Sequence, residues 1–333
     1  MVVTDSVLSD AVLTLTLLCF PSLSATIADC FYSFRFLPMK KILFIALMFP
    51  ASMVYSAEYL LFFLGGQSNM EGFGYNKELP EEYQNSIDDV MIFNGFAVPD
   101  DSSEGGYGQW LPLSPGFGTG YKADKTSYTL SERFGPELSF GKYIAKLTGK
   151  KIAIIKYARG GSSIALGASG YGTWAKDYQD NTTLNQWDYF NNTVELAMGV
   201  KDIDGDGEAD TLTPAGIVWM QGEADAYNEA ASKVYLQNLT QLMSDITAVF
   251  GSEELPIVLG KINDSGKTPE TRVMPYIEPV WEAQRQYASS HNNVELVQFD
   301  HEIEFLEDKW HYKSKHYIEL GKIFAAAMHG KLD

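Results

Sequence analysis

Six short apolar-rich runs set what this chain can fold into: Tyr59–Leu64 (YLLFFL), Val90–Phe93, Lys151–Tyr157 (KIAIIKY), Gly216–Met220 (GIVWM), Pro256–Lys261 (PIVLGK) and Val294–Phe299. Few of them alternate apolar with polar residues, as a strand with one wet face would. They read as strands buried on both faces. Longer stretches of helical pattern lie between them, at Glu137–Leu147, Leu184–Met198, Asn228–Phe250 and Tyr276–Ser290, with a last one at Ser314–His329. Strands that alternate with helices imply a mostly parallel sheet covered on both sides. The expected fold is therefore α/β: a three-layer α/β/α, doubly wound domain with about six strands. Two long irregular segments, Asn94–Glu132 and Gly160–Asn181, break the rhythm. Both are rich in Gly, Ser, Tyr and Trp, and long loops in such domains usually carry function.

The 333 residues divide unevenly. Met39-Lys40-Lys41, an apolar run from Ile42 to Val54 and the small residues Ser56 and Ala57 follow the order of a secretory signal. Residues 39–57 are read as that signal, residues 1–38 as an upstream over-call or N-terminal extension, and residues 58–333 as a single domain that is secreted or periplasmic. The uncharged stretch Ala11–Ala28 is near the length of a membrane span, but it contains Pro21 and is preceded only by acids. Cys19 and Cys30, the only cysteines, precede the expected cleavage site, so the mature domain is expected to have no thiol. The chain carries 43 acidic and 25 basic residues, a net charge of −18. That charge repels phosphate backbones and excludes nucleic acid as an expected partner. No membrane partner is expected for the mature chain, and the sequence leaves its oligomeric state open.

Chemistry concentrates at the ends of the strands. The first runs into Gly65-Gly66-Gln67-Ser68-Asn69-Met70, where a Ser flanked by Gly can present its hydroxyl to a crevice. It is neither a G-x-S-x-G elbow nor a phosphate loop, because Met70 stands at the second Gly and no G-K-[ST] follows. The third runs into Ala158-Arg159-Gly160-Gly161-Ser162-Ser163, and the fourth into Gln221-Gly222-Glu223-Ala224-Asp225. All five histidines lie between His291 and His329. Among them is Asp308-Lys309-Trp310-His311-Tyr312, where an Asp three residues ahead can hold the imidazole. Each of these motifs alone also fits an ordinary turn or helix cap.

Together they resemble the SGNH hydrolases, specifically the sialate O-acetylesterase-like branch that includes the carbohydrate esterase family 6 acetylxylan esterases. The matching residues are GQSNM at 66–70, FGPE at 134–137, GGSS at 160–163, WMQGEAD at 219–225 and DKWHY at 308–312. Gln221 stands where the wider SGNH pattern has Asn. The resemblance implies a flavodoxin-like SGNH fold and these roles: Ser68 as nucleophile, His311 as general acid and base, and Asp308 as its orienter. The implied oxyanion donors are the N–H of Ser68, the N–H of Gly160 or Gly161, and the Gln221 side chain. Gln67, Asn69, Glu223 and Asp225 are expected to support them from behind. The implied activity is removal of O-acetyl groups from carbohydrates, acetylated xylan or a related polysaccharide, through an acetyl-enzyme. An O-acetylated sialic acid is the alternative substrate. A non-catalytic carbohydrate-binding protein on the same scaffold is the alternative from another class, though a binder has no use for Ser68, Asp308 and His311 together. No cofactor is needed for this catalysis.

Arg159 is expected to contact a carboxylated sugar or else to pair with a surface acid. Trp174 is expected to stack on a sugar ring, as could Trp110, Tyr171 and Trp187, against core packing as the common fate of any one of them. The acidic loop Asp202-Ile203-Asp204-Gly205-Asp206-Gly207-Glu208-Ala209-Asp210 resembles the start of a calcium loop, with Asp202, Asp204, Asp206 and Asp210 as ligands of a structural ion. Thr213 stands where a bidentate Glu would close an EF-hand, so a flexible acidic turn is the equal alternative. Zinc is not expected: His301-Glu302 is followed by Phe305 where a second His is required, and His311 and His316 are off the i, i+4 spacing.

Overall fold

A computed structural model describes residues 56–176 and 184–332. Nearly all of the expected signal segment and extension, including both cysteines, lies outside the described residues.

A seven-stranded sheet forms the centre. Its strands are β1 (Glu58–Gly66), β2 (Val90–Asn94), β3 (Trp110–Pro112), β4 (Lys151–Ala158), β5 (Thr211–Met220), β6 (Ile257–Gly260) and β7 (Val294–Val297). Their order across the sheet is β7-β6-β5-β1-β4-β2-β3. Every neighbouring pair is parallel except β2 and β3. The six apolar runs are all strands. The added one, β3, lies inside the first long loop, at the edge of the sheet. A three-residue edge strand has too few positions to show a pattern.

The helices that matter for the site are α1 (Ser68–Glu71), α2 (Glu137–Thr148), α3 (Gln186–Gly199), α4 (Glu223–Ala226), α5 (Glu229–Val249), α6 (Ile277–Ser290) and α7 (Ser314–Leu332). Successive residues of β1 and β4 feed opposite cores, as the pleat demands. Leu61, Phe63, Ala153 and Ile155 meet Phe190 of α3, Leu239 of α5 and Val280 of α6 on one face. Phe62, Leu64, Ile152 and Ile154 meet Phe140 of α2 and Phe324 of α7 on the other. Burial on both faces is why these strands carry no polar alternation.

One polar residue breaks the second core. Lys156 of β4 is buried, and its Nζ lies 2.7 Å from Oε2 of Glu137. The same ammonium donates to the carbonyls of Glu71 and Phe117, each at 2.8 Å. The other Glu137 oxygen accepts the Gly135 N–H at 2.9 Å. The pair is fully hydrogen-bonded, the condition under which a buried ion pair is tolerated. It fixes the far end of α1 to the body of the sheet.

Candidate active site

The site is built where β1 ends. Gly66 adopts a positive φ of 146°, and a Cβ there would lie 1.9 Å from the Met220 carbonyl oxygen, so only glycine fits the turn. The Gln67 N–H then donates to that carbonyl at 3.0 Å, and Ser68 opens α1, 7% exposed. Strands β4 and β5 flank β1. Their carboxyl ends therefore bring Arg159–Gly161 to one side of Ser68 and Gln221–Asp225 to the other. The loop before α7 supplies Asp308 and His311. Ser68 and His311 line one cleft of about 630 Å³, within the usual size of a small-ligand site. Ser68 Oγ itself makes no hydrogen bond among the described residues, and apo nucleophile–base contacts are often loose.

His311 is held from two directions. Its Nδ1 lies 2.8 Å from Oδ2 of Asp308, while Oδ1 accepts the N–H groups of Trp310 at 2.8 Å and His311 at 3.0 Å. Burial pushes the Asp308 carboxyl up, but its bonds to the His311 ring and to the two backbone N–H groups outweigh this and hold it below the usual range. The turn is tight enough to place Lys309 at a positive φ of 68°. The Phe73 ring stacks on the imidazole, nearly parallel, with centroids 3.5 Å apart. No sequence signal marked Phe73 as a site residue.

The expected oxyanion donors separate. The Gly160 N–H is engaged, donating to Oε2 of Glu71 at 2.7 Å. The Gln221 amide does not reach the cleft. It is fully buried, and its Nε2 donates to Oδ2 of Asp225 at 2.7 Å, to the Ser162 carbonyl at 3.0 Å and to Oε1 of Gln67 at 3.3 Å. Gln221 is thus a buried strut rather than a donor to substrate. Gln67, though buried, is the glutamine that lines the cleft. Its Oε1 receives Gln221 Nε2 and the N–H groups of Gly222 and Ala224, which leaves its Nε2 without an acceptor on a residue that lines the cleft. The N–H groups of Ser68 and Gly161 also have no acceptor among the described residues.

Behind the nucleophile, Asn69 joins three elements. Its Nδ2 donates to Oε1 of Glu223 at 2.8 Å and to the Trp310 carbonyl at 3.2 Å, and its Oδ1 accepts from the Tyr317 hydroxyl at 2.9 Å. The Ser68 turn and the His311 loop are therefore tied through one side chain. Burial pushes the Glu223 carboxyl up to about 7 against the Asn69 bond, and its Oε2 has no partner among the described residues. Asp225 is also raised by burial, and it anchors the loop after β4 by accepting the N–H groups of Ile164 and Ala165.

Arg159 lies on the cleft wall, with Nε donating to the Tyr171 carbonyl at 3.3 Å. Trp174 does not stack on a ligand. It is fully buried, packs edge-on against Trp219 and Tyr157, and donates its Nε1 to Ser162 Oγ at 2.9 Å. The loop that carries it folds back into the core. The exposed aromatics on the cleft are instead Tyr171 and Tyr227. Tyr227 was missed because nothing in its local sequence separates it from a surface tyrosine.

The profile of the family described as carbohydrate esterase, sialic acid-specific acetylesterase matches residues 58–330. The chain belongs to that family. Its members act as carbohydrate acetylesterases, so this chain is an esterase of O-acetyl groups by membership. No curated protein matches it. Three solved structures share the fold. A protein from Arabidopsis thaliana, AT4G34215, is 17% identical with a TM-score of 0.57, covering 84% of this chain and all of its own. XAC1771, described as a carbohydrate acetylesterase from Xanthomonas citri, is 15% identical with a TM-score of 0.52, over 80% of this chain and 55% of its own. NanS is 15% identical with a TM-score of 0.52, over 83% and 98%. The mostly parallel three-layer architecture is thus that of the SGNH-like hydrolases.

Two groups outside the esterase cleft have metal-like composition. Oxygens of Asp202, Asp204 and Asp210 converge within 4.8 Å, but Asp206 stands apart and accepts the Glu208 N–H. Asp204 also pairs with Lys151 at 3.1 Å and accepts from the Tyr59 hydroxyl at 2.8 Å. Those partners start β4 and β1, so the loop lies at the edge of the sheet opposite Ser68. His301, His316 and Glu319 form the second group. His316 Nε2 accepts the Glu304 N–H at 3.0 Å. Its Nδ1 therefore carries the proton toward Glu319 and has no lone pair for a metal. No helix among the described residues is long and apolar enough to cross a membrane.

Proposed function

We propose that the chain is an exported serine esterase that removes O-acetyl groups from a polysaccharide such as acetylated xylan. The observation that carries this reading is the placement of Ser68 and His311 on one cleft, with Asp308 fixed on the far nitrogen of the imidazole. A serine hydroxyl becomes an effective nucleophile only when a base takes its proton, and the base must hold the right tautomer. Asp308 accepts from Nδ1–H, which leaves Nε2 as the free base.

In the first step Ser68 Oγ bonds to the acetyl carbon as His311 Nε2 takes the hydroxyl proton. The C–O bond to the sugar then breaks, and the sugar oxygen leaves with that proton. Water, deprotonated by His311, attacks the acetyl-Ser68 ester and releases acetate, which restores the serine. The oxyanion of each tetrahedral intermediate is received by the N–H groups of Ser68 and Gly161 and by Gln67 Nε2. Donors fixed before reaction are each worth about 3–4 kcal/mol. The basic, apolar and small-residue order of residues 39–57 supports export.

A carboxylated sugar, sialate or uronate, is the second reading. Arg159 favours it, because the guanidinium lies on the cleft with only its Nε bonded among the described residues. The deciding measurement is acetate release from 4-nitrophenyl acetate by the native chain and by Ser68→Ala. Loss of at least about a thousandfold is expected. Activity that survives in Ser68→Ala would remove the mechanism.

A further inference from the structure

Among the described residues, the two most exposed large apolar or aromatic side chains are Tyr171, at 64%, and Tyr227, at 62%. Both line the cleft that holds Ser68 and His311. Their loops leave the carboxyl ends of β4 and β5, the two strands that flank β1. One exposed tyrosine therefore stands on each side of the nucleophile. Neighbouring strands lie about 4.8 Å apart, so loops from both can reach a single extended ligand.

Each ring is braced from behind. Tyr171 packs over Gly161, where a Cβ would lie 2.8 Å from the tyrosine Cγ, and its carbonyl accepts Arg159 Nε. Tyr227 leans on Trp310, the neighbour of His311, with ring centroids 5.9 Å apart at 58°. A tyrosine held on one face and open on the other offers a flat apolar surface with a polar edge, at little cost in side-chain entropy. Ser169, Thr119, Arg159 and Glu71, all with hydrogen-bonding groups, line the same cleft. Flat apolar faces interleaved with hydroxyl partners match sugar rings, which carry C–H faces and hydroxyl edges. A lipid chain would leave the open guanidinium nitrogens of Arg159 and the Thr119 hydroxyl, which have no partner among the described residues, unpaired.

We propose that Tyr171 and Tyr227 are sugar-stacking subsites on either side of the reacting acetyl group, so that the substrate is an acetylated unit flanked by further rings rather than a free monosaccharide. This rests on the O-acetylesterase reading for its chemistry and goes beyond it in naming the shape of the substrate. It assigns Tyr171 and Tyr227 to positioning, with no part in bond making.

Two measurements separate the proposal from its parent reading. The first is calorimetric titration of full-chain Ser68→Ala with unacetylated xylo-oligosaccharides, which requires no catalysis. Binding is expected, and adding either Tyr171→Ala or Tyr227→Ala should weaken it about tenfold, whereas Tyr227→Phe keeps most of it. The second compares chemically acetylated xylo-oligosaccharide, acetylated xylose and ethyl acetate as substrates. The native chain should favour the oligosaccharide over the monosaccharide by at least about tenfold in kcat/KM. In each alanine variant KM for the oligosaccharide should rise by that factor with kcat retained. Equal losses on all three esters, an oligosaccharide affinity that ignores both substitutions, or no preference for the oligosaccharide would overturn the proposal. Acetate release that survives in Ser68→Ala would overturn only the serine mechanism.

Discussion

Oδ2 of Asp308 lies 2.8 Å from Nδ1 of His311, three residues further along the same turn. The other carboxylate oxygen holds the backbone of that turn, so one side chain sets both the position and the tautomer of the imidazole. Asp308→Asn keeps the size of the side chain but presents an amide that can donate to Nδ1, which favours the wrong tautomer. We expect kcat to fall about 10²–10⁴-fold with KM little changed. A fall of less than tenfold would mean that Phe73 stacking alone orients the ring.

Gln67 and Gln221 exchange the roles that the motif pattern suggests, and their substitutions should differ in kind. Gln67→Ala removes a free donor from the cleft, so kcat should drop about 10²–10³-fold, and because it also takes the acceptor from the N–H groups of Gly222 and Ala224 the thermal midpoint should fall as well. Gln221→Ala leaves the Ser162 carbonyl without its donor and takes one of two donors from Oδ2 of Asp225, while the Tyr235 hydroxyl keeps the backbone carbonyl of residue 221. It should cost about 1–3 kcal/mol for each group left unsatisfied, read as a lowered midpoint in urea unfolding. A Gln221→Ala chain of native stability with the larger kinetic defect would reverse the assignment.

Glu223 links the site to pH through stability. Burial raises its carboxyl from an ordinary 4.5 to about 7 in the folded chain. Between these values the folded chain binds the proton and the unfolded chain has lost it. Stability is therefore full below pH 4.5 and is lost as pH rises through about 7, by roughly 3 kcal/mol on the scale of 1.36 kcal/mol per pH unit. Glu223→Gln cannot ionise, and its Oε1 can still accept from Asn69. Its unfolding midpoint should exceed that of the native chain at pH 8 and approach it at pH 5. Parallel midpoint curves for the two chains across this range would rule out a titrating Glu223.

The fold was legible because six strands are buried on both faces, and that burial leaves apolar runs with no competing pattern. The site was half legible for a different reason. Ser68, Asp308 and His311 each lie in a short motif local to one turn, and although each motif alone also fits an ordinary turn, the set of them in order carries the family resemblance that implies their roles. Which amide faces the cleft is decided at long range: the N–H groups of Gly222 and Ala224 capture Gln67 Oε1 across more than 150 residues of sequence. Trp174 and Tyr171 are three residues apart in one Gly-rich loop, yet one is buried and the other 64% exposed. Composition cannot tell where such a loop turns back into the core. The Phe73–His311 stack is a long-range contact of the same kind.

Lys156 is a buried charge of the sheet whose removal should be costly to stability. Lys156→Met leaves Glu137 buried with only the Gly135 N–H, and it leaves the Glu71 and Phe117 carbonyls without their donor. Removing one member of a buried pair costs about 3–5 kcal/mol. The double variant Lys156→Met with Glu137→Leu removes the stranded charge but not the two unpaired carbonyls. It should regain part of the loss and remain about 1–3 kcal/mol less stable than the native chain. The Glu71 carbonyl ends the helix that Ser68 begins, so the double variant should also show a lower kcat when measured where it is fully folded. Urea unfolding of the two single variants and the double variant closes the cycle. If Lys156→Met alone costs less than about 1 kcal/mol, the pair is not what fixes α1 to the sheet.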